Sequence, residues 1–201
     1  MPAFSCRSAF LMLASATCVA GLTACKPAAI AFPEDADIAK ALQANMAQDA
    51  NSAKARELIQ TLGGEKGQLD YKVHRVVYRQ GAFEAQYDVS LRMGQTGAES
   101  LQKLYATMIP KEEAAKLPEQ TLAAYEKWLG DNAQSLEKSD PQQGAALKAT
   151  LQNLGQCFRE VKSNDSVALM SGLAALISPA RDGWYADKLQ SPQAQLRCLP
   201  L

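Results

Sequence analysis

From Leu69 to Met93 apolar and polar residues alternate. Leu69, Tyr71, Val73 and Val77 share one parity, and Phe83, Ala85, Tyr87, Val89, Leu91 and Met93 share another unbroken run. Alternation of this length marks strands with one buried face, and Gly81 between the runs makes them an antiparallel hairpin. A two-residue loop at Gln80-Gly81 would set Val73 against Asp88 and Leu69 against Arg92. A three-residue loop, Gln80-Gly81-Ala82, instead pairs Val77 with Ala85, Val73 with Val89, Tyr71 with Leu91 and Leu69 with Met93. It also places His74 by Asp88 and Asp70 by Arg92 on the outer face, where opposite charges attract. The three-residue register is therefore expected, with His74 and Asp88 outside.

Elsewhere the spacing is helical. Ile38, Leu42 and Met46 fall four apart, and Ala50, Ala53, Leu58, Ile59 and Leu62 continue an uneven stripe. Glu34, Asp35 and Asp37 complement the helix dipole at its start, and Gly63-Gly64 stop it, so one helix is expected over 34–62. Thr96 and Glu99 have capping-box spacing ahead of Leu101, Leu104, Tyr105 and Met108, and Pro110 closes that segment. Pro118 divides a short turn from a helix carrying Leu122, Tyr125 and Leu129, with Gly130 behind it. Asp140-Pro141-Gln142-Gln143 combines an N-cap acid with proline at the first helical position and leads into Leu147, Leu151, Leu154, Phe158 and Val161. Val167 to Ile177 is apolar nearly all round. It is too short to cross a bilayer and predicts a buried central helix. Trp184, Tyr185, Leu189, Leu196 and Cys198 follow without period, the pattern of a tail laid across the body. Two strands alone are marginal, so the ribbon must pack on the helices or gain further strands. The expected fold class is α+β: a mainly helical single domain over 34–201 packed against an antiparallel β-hairpin.

The N-terminus adds an address. Arg7 precedes an apolar run, Phe10 to Gly21, of signal-peptide rather than membrane-span length. The run closes on Leu22-Thr23-Ala24-Cys25, which resembles the lipobox of bacterial lipoproteins. That resemblance implies a signal peptide over 1–24, cleavage before Cys25, fatty-acyl (palmitate) attachment at Cys25 and a lipidated tether over 25–33. In lipoproteins of this kind an aspartate after the cysteine favours inner-membrane retention. Lys26 stands there, so the resemblance implies an outer-membrane anchor, with the choice between periplasmic side and cell surface left open.

Charge and cysteines change with the leader removed. Residues 1–24 hold Arg7 and no acid, leaving 20 Lys+Arg against 21 Asp+Glu in residues 25–201. That balance offers no electrostatic reason for a nucleic-acid partner and little general attraction to an anionic surface, so the lipid has to hold the membrane. Cys6 and Cys18 leave with the leader, and Cys25 takes the lipid. Cys157 and Cys198 remain, and in an oxidising compartment they are expected to pair. The rival use is a reactive thiol or half a metal site, for which His74, the one histidine, is remote in sequence.

Catalytic motifs are sparse. The sequence lacks a phosphate-binding glycine loop, an HExxH, a CxxC and a G-x-S-x-G elbow, and no cofactor is expected. Glu112, Glu113 and Asp131 are the carboxylates a hydrolase could recruit. Trp184-Tyr185, with Trp128, are the aromatics worth following, and Trp184-Tyr185 is the candidate binding surface. Three functions follow. The expected one is an envelope lipoprotein without catalysis, acting on an envelope protein partner as a binding, inhibitory or assembly module. The second is a carrier of lipid or another hydrophobic ligand, with a cavity lined by Tyr71, Tyr87, Met93 and Met108. The third is a carboxylate-dependent cell-wall hydrolase.

Overall fold

Phe83, Ala85, Tyr87, Val89, Leu91 and Met93 are all buried, as the alternation requires. They lie along the strand that organises the computed structural model, which describes residues 31–200. The elements are α1 (Asp35–Gln48), a 3-10 turn (Ala50–Ser52), α2 (Ala53–Gly63), β1 (Gln68–Arg79) and β2 (Ala82–Arg92). Then come α3 (Gly97–Met108), α4 (Lys111–Ala114), α5 (Leu122–Ser139) and α6 (Pro141–Phe158). The chain closes with β3 (Ser166–Ala180), β4 (Gly183–Leu189) and β5 (Gln195–Leu196). The sheet is antiparallel in the order β1-β2-β3-β4, with β5 pairing β3. Residues 33–201 form one compact α+β unit.

The buried side chains of β2 serve two adjoining cores. Phe83 to Val89 pack with Ile38, Ala41 and Leu42 of α1. Leu91 and Met93 pack with Leu62, Leu101, Tyr105, Leu129, Leu154 and Phe158 from α2, α3, α5 and α6. The helices thus share one face of the sheet, while Glu84, Gln86, Asp88 and Ser90 alternate onto the other and stay half-buried.

The hairpin corrects the expected register. Arg79 pairs with Ala82, so the loop is the two residues Gln80-Gly81, both at positive φ (48° and 99°). That twist matches the flanking strands and glycine accepts it without strain. The mispairing that a two-residue loop would cause is removed by a bulge. The ladder slips at His74, so that Val76 faces Ala85 on one side of it and Val73 faces Tyr87, with Tyr71 facing Val89, on the other. One extra residue flips parity. Leu69, Tyr71 and Val73 therefore keep the core face, but Val77 sits opposite Glu84 and belongs to the outer one. The expected charge pairs do form, diagonally in one case: Arg92 Nη2 lies 2.8 Å from Asp70 Oδ2, and His74 Nε2 lies 2.8 Å from Asp88 Oδ2.

Asp88 ties two irregularities together. β3 bulges opposite it at Gly172 (φ 69°), whose N–H donates to Asp88 Oδ1 at 2.8 Å. Partial burial pushes the Asp88 carboxyl up, but the Gly172 N–H, His74 and Lys72 outweigh it, so its pKa falls below the ordinary value. A depressed carboxyl stabilises the fold above its unfolded pKa of about 4 and loses that contribution as pH drops through the folded value. Asp88→Asn should therefore unfold more readily than wild type at neutral pH. The two denaturation curves should converge in acid, once the pH has fallen through the lowered folded-state pKa.

Four further expectations are corrected. The helix expected over 34–62 is two helices, because Asp49 leaves the helical region (ψ 113°) and Ser52 Oγ donates to its carboxylate at 2.9 Å. Asp, Asn and Ser compete with helix hydrogen bonds in this way, and Arg56 Nη1 collects the freed carbonyls of Met46 and Asp49. Gly130 does not end a helix, since α5 continues to Ser139. Val167–Ile177 is not a helix but most of β3. The strand is central and half-covered on its outer side. Leu173, Ala175 and Ile177 match Tyr87, Ala85 and Phe83, while Ala174 and Leu176 occupy the other face, so apolar residues fall on both parities and erase the period of two. The tail likewise becomes β4 and β5 rather than an irregular strap. The cap signals hold: Thr96 and Glu99 form a reciprocal capping box, and Asp140 Oδ1 accepts from Gln143 N–H at 3.1 Å. Among the described residues no helix is long and apolar enough to cross a membrane.

Candidate functional site

Asp140 closes α5 and caps α6, so the two helices turn back on each other through a single residue. Gly144 permits the tight turn, since a Cβ there would lie 2.7 Å from the Glu137 Cα. Farther along, the hairpin opens into a solvent-facing groove of about 980 Å³. Ion pairs bridge the seam toward either end: Arg159 Nη2 to Glu126 Oε1 at 2.6 Å, and Lys148 Nζ to Glu137 Oε1 at 3.3 Å. Between them the lining includes Gly130 on α5, which is exposed, and Gly155 on α6, which is half-buried. Gln134, Gln152 and Gln156 supply amide donors and acceptors along the rim.

Tyr105 of α3 reaches the groove from below. Its side chain is buried, and its hydroxyl donates to the Leu151 carbonyl at 3.4 Å, near the outer limit of a hydrogen bond. Burial, and then Glu126, push its pKa up to about 12 against the opposing effect of Arg159. The hydroxyl therefore keeps its proton at neutral pH.

Neither Gly130 nor Gly155 has a neighbour among the described residues that would require a glycine. A Cβ at Gly130 would meet nothing within 4 Å, and one at Gly155 would meet only the Arg159 guanidinium at 3.8 Å. A glycine inside a helix costs about 1 kcal/mol relative to alanine. Gly130→Ala should accordingly raise stability by about 0.5–1 kcal/mol. Gly144→Ala should lower it by about 1–3 kcal/mol, because backbone rather than a flexible side chain stands in the way. Denaturant titration of the two variants reads the opposite signs directly.

The residues singled out from the sequence are scattered. Trp184 and Tyr185 do not form one surface, because neighbours on a strand point to opposite faces. Trp184 packs edge-on against Phe83 with ring centroids 5.6 Å apart, whereas Tyr185 is 46% exposed. Trp128 packs against the helical core. Of the four residues expected to line a carrier cavity, Tyr87 and Met93 are buried core, and Met108 packs against the helical core. Tyr71 rests on Tyr87 and lines an open cleft of about 340 Å³ with Met46, Ile59 and Leu69. Glu113 and Asp131 each hold a lysine one turn away, Lys116 at 2.7 Å and Lys127 at 2.6 Å, and Glu112 is exposed. Cys157 and Cys198 are joined, with their sulfurs 2.07 Å apart. Cys25 lies outside the described residues.

Sequence reasoning took Gly130 as a helix stop and passed over Gly155. Their signal was present as two glycines within helical stretches, without the proline or left-handed cap that would make them helix ends. Compared with family models, curated proteins and solved structures, the chain matches none.

Proposed function

We propose that this protein is a lipid-anchored envelope protein that binds another protein, acting as a binding, inhibitory or assembly module. The α5–α6 groove carries the reading. It is concave, and about three helical turns long from Glu126 to Glu137, or roughly 16 Å. It is lined by hydrogen-bonding side chains and by two glycines that no packing among the described residues requires. The Cys157–Cys198 pair fits an oxidising compartment, in keeping with export through the segment ending at Cys25. The smaller cleft beside Tyr71 favours a carrier role only weakly, being open and at the lower limit of ligand-pocket volume.

Photo-crosslinkers at Gln134 and Gln152 in the full-length protein, expressed in its native envelope, test the binding role. One discrete protein adduct shared by both positions, and absent with the probe at exposed Glu119, is the expected result. No adduct at either groove position would overturn it. Mass spectrometry of the mature N-terminus tests the anchor separately. A chain beginning at acylated Cys25 is expected, and an unmodified Cys25 would remove the anchor from the proposal.

A further inference from the structure

We draw no further inference here: the strongest candidate, the apolar patch of Leu176, Tyr185 and Leu189 on the outer face of β3 and β4, carries nothing, because no contact among the described residues shows what covers it.

Discussion

Val89→Asp should cost about 4 kcal/mol, enough to threaten the fold outright. Val89 is 2% exposed, lies between Tyr71 of β1 and Met170 of β3, and packs into the core beneath α1. An aspartate there forfeits the apolar contacts and leaves a carboxylate with no cation, so the group is either charged and unsolvated or protonated at neutral pH. Gln86→Asp is the matched control, on the opposite face of the same strand and across from Arg75. It should stay within about 0.5 kcal/mol. Ser90 serves less well, since Asp70 stands directly opposite and a second acid would repel it. Equal losses at 86 and 89 in urea titration would mean that the two faces of β2 are equally intolerant of a charge, against the one-sided burial described above.

Breaking the Cys157–Cys198 bond should remove a comparable amount. The bond closes a loop of 41 residues, for which the chain-entropy estimate gives about 4 kcal/mol and a fall in the unfolding midpoint on the order of 10 °C. The loosened region should be short. β4 is held independently by its ladder to β3 and by Trp184 on Phe83. The end of the chain depends on two pairs to β3, the Arg197 N–H to Leu169 carbonyl bond, and Asn153 Nδ2 donating to the Arg197 carbonyl. Reduction, or Cys157→Ser, should therefore speed amide exchange from about Gln195 to Leu199 while Trp184 to Leu189 stay protected. Simultaneous deprotection of β4 would show that the bond supports the whole sheet edge. Thiol titration of the denatured, unreduced chain from Pro33 onward should find no free thiol, and two after reduction.

The structural features that could be read in advance, the cysteine pairing apart, are those set by residues close together in the chain. The Thr96–Glu99 box and the Asp140-Pro141 start each satisfy backbone N–H groups three positions away. The β2 alternation was legible because a sheet with one wet face imposes a period of two. The cysteine pairing was legible by elimination, once the other three cysteines were assigned to the leader and the anchor.

The remainder depended on partners distant in the chain. Val167–Ile177 is a strand because β2 and β4 offer it ladders, and that long-range pairing overrides the helical preference of its leucines and alanines. The bulge at His74 exists because Asp88 and the Gly172 bulge of β3 meet it across the sheet, so the two-residue loop and a buried β1 face become compatible. Gly130 and Gly155 acquire meaning only when α5 and α6 fold back and set them on facing walls of one groove. The sequence by itself determined the capped starts of α3 and α6 and which face of β2 is buried, because those preferences are local. Tertiary structure decided strand against helix at β3, the register of the hairpin and the existence of the groove, because each is a free-energy difference between whole packings rather than a property of any short segment.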